Sequence, residues 1–270
     1  MTFMFSDVRG FTTISETYKN DPHGLTQLMN RLLTPLTNVI IERKGTIDKY
    51  MGDAIMAFWN APLHDPNHEV HACEAALEML VALDALNQQR SAEAAAASLP
   101  FTPLKVGVGL NTGSCVVGNM GSDLHFNYSV LGDAVNLASR LESQSKEYGV
   151  SIVLGSRTET TVRNRFATIE LDLLQVKGKT EPEPVHTILG RLDSPARPRM
   201  ERLMTLNEAM VAAYRSRDWG SCLETILQCK ELSREFGLDD FYSIYTQRVR
   251  RLSETPPEPS WNGVWIAERK

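Results

Sequence analysis

The chain has 270 residues, 42% hydrophobic and 23% charged, with 28 Lys and Arg against 33 Asp and Glu for a formal net charge of −5. Disordered and fibrous classes are excluded, and there is room for one large domain or a domain with an appendage. No long basic run marks a nucleic-acid binder, although one nucleotide site needs only a few local cations. Cys73, Cys115, Cys222 and Cys229 form no CxxC pair and have no histidine at zinc-ligand spacing, which reads as reduced thiols in a cytoplasmic protein. No apolar run approaches the roughly 20 residues of a membrane helix and no secretory leader is present, so no membrane contact is expected from this chain.

Thr2–Ser6 reads as a short apolar strand running into Asp7-Val8-Arg9-Gly10-Phe11-Thr12. Asp21-Pro22 supplies an N-cap and a proline at the first helical position, and Leu25, Leu28, Met29, Leu32, Leu36, Val39 and Ile40 then recur at helical spacing until Gly45. Thr46–Tyr50 and Ile55–Trp59 read as hairpin strands around Met51-Gly52-Asp53-Ala54. A second helix is expected over Asn67–Gln89, with Ala72, Ala75, Ala76, Met79 and Leu80 buried, followed by a loop or frayed end over Ser91–Ser98. Leu104–Leu110 is a strand whose glycines permit close backbone approach. These six elements spell βαββαβ and predict an α+β, ferredoxin-like core.

A strand near Cys115–Gly118, a helix over Asp133–Tyr148 closed by Gly149, and strands near Ile152, Ile169 and Val185 extend a first domain over residues 1–190. The composition breaks at Ser194–Pro198, so residues 191–200 read as a linker. Beyond it Leu203–Ser216 and Ser221–Phe236 look like an antiparallel helix pair, with a third helix over Phe241–Leu252. This small helical appendage, residues 201–253, resembles one tetratricopeptide-type unit and reads either as a docking surface or as a self-packed annex. Residues 254–270 form a Pro-rich extended tail packed by Trp261 and Trp265.

Asp7 ends a strand and Asp53 sits at a hairpin tip. A ferredoxin-like sheet can bring both carboxylates to one edge, where paired carboxylates with water and phosphate oxygens suit magnesium. Local sequence leaves a second reading open, in which Asp7 caps a turn and Asp53 makes one. His23, His64, His68 and His71 lie near helix starts without an acid at triad spacing and read as surface or capping residues.

The surrounding motifs decide between these readings. FSDVRGFT at Phe5–Thr12 and DKYMGDAIMAFW at Asp48–Trp59 resemble the two metal-binding signatures of class III nucleotide cyclases. YSVLGDAVNLASRLE at Tyr128–Glu142 resembles that family's transition-state helix, and VKGK at Val176–Lys179 its late phosphate-facing loop. All four blocks stand in the family's order.

The resemblance implies a homodimer with two equivalent active sites between catalytic domains. Asp7, Asp53 and the Val8 carbonyl of one subunit would hold two Mg2+ or Mn2+ ions, and the backbone amides of Gly10, Phe11 and Thr12 would face the triphosphate. Asn136 and Arg140, at i and i+4, would come from the partner to orient the ribose and stabilise charge on phosphorus. Lys177 and Lys179 flank Gly178 in a basic turn suited to triphosphate oxygens.

Lys49 stands where guanylyl members carry glutamate, and Ser129 where they carry cysteine, so the resemblance implies an adenylyl member. A lysine can donate to adenine N1 and a hydroxyl can accept from the exocyclic amine. Adenylyl members usually have aspartate or threonine at the second position; Ser129 keeps the hydroxyl without the methyl. The expected function is adenylate cyclase, converting ATP to 3′,5′-cyclic AMP and pyrophosphate as an output module of signal transduction. The rivals are a guanylate cyclase and a catalytically silent nucleotide-binding dimerisation module. Family members usually carry upstream input modules, so the resemblance also implies a sensor module absent from this chain, through which the parent protein would be membrane-anchored.

Overall fold

The computed structural model of the chain describes residues 1–122, 124–175 and 181–266. They divide into two compact units, Met1–Glu142 and Ser143–Lys270.

In the first unit, strand β1 (Thr2–Val8) is followed by a short helix α1 (Phe11–Thr17), helix α2 (Pro22–Glu42), strands β2 (Thr46–Met51) and β3 (Ala54–Trp59), helix α3 (His68–Ala96) and strand β4 (Val106–Thr112). Strands pair in the order β4-β1-β3-β2. β1 is central and antiparallel to both neighbours, Met4 lying opposite Ala57 on one side and Leu110 on the other. With α1 set aside, this is the ferredoxin-like βαββαβ core. Asp21 caps α2 as expected, its Oδ1 accepting from Gly24 N at 2.9 Å. Leu28, Leu32, Leu36 and Ile40 form the buried stripe of α2, four residues apart.

Three local details refine the expectation. Phe11–Thr17 is helical because Gly10, left-handed at φ 68°, turns the chain directly into a helix start. Of the two readings of Ser91–Ser98, loop or helix end, the helix end holds: α3 continues to Ala96, since Ser91–Ala96 is mostly alanine, the strongest helix former. A bidentate pair from Arg31 to Glu93, at 2.8 and 2.9 Å, ties that extension to α2. The expected strand near Cys115 is the first arm of a hairpin, β5 (Val116–Gly121) paired with β6 (Phe126–Leu131).

Helix α4 (Asp133–Glu147) follows. Its residues in the first unit lie directly on β4. A Cβ at Gly109 would fall 2.2 Å from Glu142 N and 2.3 Å from Ala138 O, so only hydrogen fits there. Val135, Leu137, Ala138 and Leu141 are its buried face, and Val135 and Ala138 join a core with Phe3, Met56, Phe58 and Val130.

In the second unit, strands pair in the order β10-β8-β9-β7, where β7 is Ile152–Gly155, β8 Phe166–Gln175, β9 Glu183–Arg191 and β10 Val264–Ile266. Helix α5 (Ser156–Val162) follows β7, and α6 (Arg197–Arg215), α7 (Trp219–Ser233) and α8 (Asp239–Glu254) follow β9. α6 begins inside the expected linker because Pro198, in its first turn, is preorganised for a helix start. The tail adds β10, parallel to β8, while Trp261 stacks edge-on to Tyr214 at 5.2 Å. No helix among the described residues is long and apolar enough to cross a membrane.

A charged pair lies within this unit. Arg248 Nη1 donates to Asp172 Oδ2 at 2.5 Å with side chains 5% and 2% exposed, and Tyr148 Oη donates to the same oxygen at 3.1 Å. The guanidinium stacks 3.8 Å from the Trp265 ring centroid. Nearby, Asn207 donates to the Glu170 carbonyl at 2.8 Å and accepts from Tyr242 Oη at 3.0 Å, joining α6, α8 and β8 through buried polar groups.

Asp172→Ala should therefore leave Arg248 buried without its counter-charge and cost about 3–5 kcal/mol in urea denaturation, most of it recovered in the apolar Asp172→Leu/Arg248→Met double variant. Gly109→Ala should push α4 off β4 and cost at least about 2 kcal/mol, read as a lowered Tm.

Candidate active site

β1 carries Asp7 to the end of the central strand, and the β2–β3 turn, with Gly52 left-handed at φ 67°, brings Asp53 beside it. Val8 N donates to Asp53 Oδ2 at 3.2 Å. Burial raises the Asp7 pKa to about 6, with the neighbouring Asp53 charge and a hydrogen bond to Asp53 adding to the rise and the Val8 backbone opposing it. Two carboxylates thus share one partly buried edge, and the neighbouring Asp53 disfavours ionisation of Asp7. Asp53 also occupies the β2–β3 turn, as the second reading expected of it.

Such a pair fits a divalent cation. Its donors are hard oxygens, and a cation would cancel the repulsion that the fold imposes. Among the described residues no group of three or more His, Cys, Asp or Glu side chains gathers at one point. The rest of a hard ion's shell would have to come from backbone, water and ligand oxygens.

Gly10 precedes the first turn of α1, and Phe11 and Thr12 occupy that turn, where helix amides lack intrahelical partners. Asn136 is exposed and Arg140 half-buried on α4, on the side away from Val135, Leu137, Ala138 and Leu141. Among the described residues no hydrogen bond or ion pair joins either of them to Asp7 or Asp53. Lys177 and Lys179 lie outside the described residues.

Lys49 and Ser129 come together through a residue that motif reading passed over. Ser129, in β6 and 8% exposed, donates its hydroxyl to Asp48 Oδ2 at 2.5 Å. Lys49 Nζ lies 3.1 Å from the other oxygen of Asp48, whose side chain is fully buried. Asp48 stands inside the quoted DKYMGD block, yet nothing in a linear string shows that a carboxylate will reach a strand 81 residues away.

Two histidines are less superficial than their positions suggest. His71 Nδ1 is 2.6 Å from Asp65 Oδ2, and Asp65 also accepts from Asn67 N at the start of α3. The bond from His71 and the Asn67 amide hold the Asp65 carboxyl below its usual range against the opposing effect of burial. His68 Nδ1 lies 2.8 Å from Thr2 Oγ1. Both contacts fasten the N-terminal end of α3, and Thr2 is fully buried, so no reactive hydroxyl results.

The β5–β6 hairpin exposes apolar side chains: the cross-strand partners Val116 and Leu131 are 65% and 64% exposed, and Phe126, nearer the turn, is 63% exposed.

Comparison with known proteins adds the lineage. Residues 1–189 match the family model for the adenylate and guanylate cyclase catalytic domain. Adenylate cyclase of Anabaena cylindrica is 37% identical over 194 residues, covering 70% of this chain and 36% of that protein. Adenylate cyclase 1 of Rhizobium meliloti (strain 1021) is 32% identical over 190 residues, covering 70% of this chain and 27% of that protein. The chain therefore spans about a third or less of the length of these relatives. Among solved structures, the adenylyl cyclase CyaB of P. aeruginosa aligns at TM-score 0.61 and 32% identity, covering 69% of this chain and 92% of that one. The guanylyl cyclase Cya2 aligns at the same score and identity, covering 72% and 93%. Likeness to both branches leaves the base to be argued from residues. The match of residues 1–189 to that family model means that the chain belongs to the adenylate and guanylate cyclase catalytic-domain family.

Proposed function

We propose that this nucleotide cyclase domain is an adenylate cyclase acting as a homodimer, converting ATP to 3′,5′-cyclic AMP and pyrophosphate. The observation that carries the adenylyl reading is Lys49 standing next to Ser129 across one shared carboxylate, Asp48. A lysine offers only donors, which suits adenine N1 and opposes the N1–H of guanine. A hydroxyl that spends its proton on Asp48 keeps its lone pairs for the adenine amine.

On this reading Asp7, Asp53 and the Val8 carbonyl hold two Mg2+ or Mn2+ ions. Bound there, the metals would lower the pKa of the ribose 3′-hydroxyl and neutralise triphosphate charge. The amides of Gly10, Phe11 and Thr12 face the triphosphate, with Lys177 and Lys179 assigned to the same anion. Asn136 orients the ribose so that the 3′-oxygen lines up with the α-phosphorus. Arg140 stabilises the negative charge that builds on the phosphoryl oxygens as the new P–O bond forms and the bond to pyrophosphate breaks.

Two observations support the dimer reading. Among the described residues no hydrogen bond or ion pair joins Asn136 or Arg140 to the aspartate pair, and the β5–β6 hairpin exposes the cross-strand apolar pair Val116 and Leu131, which a second copy would cover. We assign catalysis to residues 1–190 and read α6–α8 as an appendage, with an upstream sensor driving the domain as a signalling output.

Purified protein with Mg2+ or Mn2+ should form cyclic AMP from ATP, with GTP a poorer substrate; a GTP preference would favour the guanylyl rival. Asp53→Asn and Arg140→Ala should each lower kcat by about 100-fold or more, while an equal mixture of the two should recover about a quarter of the unmutated rate through mixed dimers with one intact site. Val116→Glu, at an exposed position, should leave Tm nearly unchanged yet shift the protein to monomers in sedimentation velocity and abolish activity.

A further inference from the structure

Asp48 is the residue of the base-selecting region whose placement the motifs do not explain. In a regular strand, neighbouring side chains point to opposite faces, so Asp48 and Lys49 would be separated by the sheet. Here the β2–β3 register shifts between Ile47, opposite Ala57, and Lys49, opposite Met56, which leaves Asp48 as an extra residue without a cross-strand partner. A bulge of this kind re-aims one side chain and is favoured beside active sites. It lets the fully buried Asp48 carboxylate lie 3.1 Å from Lys49 Nζ and 2.5 Å from Ser129 Oγ in β6.

Around Ser129 the competition is small. Its cross-strand partner in the β5–β6 hairpin is Gly118, which has no side chain to offer the hydroxyl. Asp48 Oδ1 receives no well-aligned hydrogen bond, leaving Lys49 as its charged neighbour. An ionised carboxylate only accepts, so it forces the single proton of Ser129 toward itself.

We propose that Asp48 is a positioning residue for base selection: it fixes the Ser129 hydroxyl as an acceptor and holds the Lys49 ammonium beside it, which favours adenine over guanine. The proposal rests on the adenylyl reading above. Serine alone is ambivalent, since a free hydroxyl could donate to guanine O6 as readily as it accepts from the adenine amine. The carboxylate removes that ambivalence, and it does so without touching the nucleotide.

The test uses the full chain and compares kcat/KM for ATP, GTP and purine riboside triphosphate, which keeps N1 and lacks the exocyclic amine. Asp48→Asn preserves shape but lets the side chain donate, so Ser129 is free to turn its proton outward. The preference for ATP over purine riboside triphosphate should fall about tenfold, near the value of one hydrogen bond, while GTP improves relative to ATP. An equal loss for ATP and the purine analogue would mark a merely structural role and overturn the proposal, as would unchanged ratios. Should Asp48→Asn not fold, Asp48→Ala, which leaves room for a water that either donates or accepts, is read by the same ratios. A GTP preference in the unmutated protein would overturn the adenylyl reading and this proposal together; an ATP preference with ratios insensitive to Asp48 would overturn this proposal alone.

Discussion

Two carboxylates held together against their mutual repulsion are the constraint from which the rest of the first unit is best understood. Asp7 cannot move away from Asp53, because β1 is clamped along its length by β3 and β4 and its apolar residues, Phe3 and Met4, are fully buried. The turn that delivers Asp53 is equally committed, with a left-handed glycine and a bond from Val8 N to the carboxylate. Burial first, and then the neighbouring Asp53 charge, raise the Asp7 pKa to about 6, and perturbed groups of that kind concentrate at functional sites. Hydrophobic packing thus maintains an arrangement that electrostatics opposes and that a divalent cation would relieve.

The same unit separates the tasks of binding and orientation. Close approach at Gly109 seats α4 on β4, so Asn136 and Arg140 are carried on a helix whose other side is locked into the core. Lys49 and Ser129, the groups proposed to read the base, depend on another device, a bulge in β2 that turns Asp48 beside Lys49 and toward β6. Rigid helix packing suits the role proposed for Asn136 and Arg140, which is to meet ribose and phosphate at defined positions. A bulge suits groups whose donor and acceptor pattern must be set, because it brings sequence neighbours to one face of a sheet.

Much of this architecture was legible from the chain. Asp21-Pro22 specified the start of α2, the fourfold spacing of Leu28, Leu32, Leu36 and Ile40 its buried face, and the glycines of β4 the close approach of a neighbour. What escaped reading or stayed open has physical reasons. The alanine run after Gln89 lacks the apolar periodicity that marks a buried face, yet its propensity and the Arg31–Glu93 pair keep it helical. Pro198 marked a break in composition, but proline breaks a helix only in its interior and favours its first turn. Hairpin β5–β6 lacks a regular apolar alternation, since Gly118 and Gly121 interrupt β5 and most of its residues are exposed.

The site divides the same way. Sequence by itself determined the family, the order of the βαββαβ elements and the identity of Asp7, Asp53, Lys49, Ser129, Asn136 and Arg140 as candidates, because those depend on residue type and local spacing. Tertiary structure alone decided that Asp7 and Asp53 share one partly buried edge and that Asp48 links Lys49 to Ser129. It likewise decided that α4 rests on the bare backbone of Gly109. Each of these is a contact between strands or helices remote in sequence, set by register, by a one-residue bulge and by the room left where a side chain is missing.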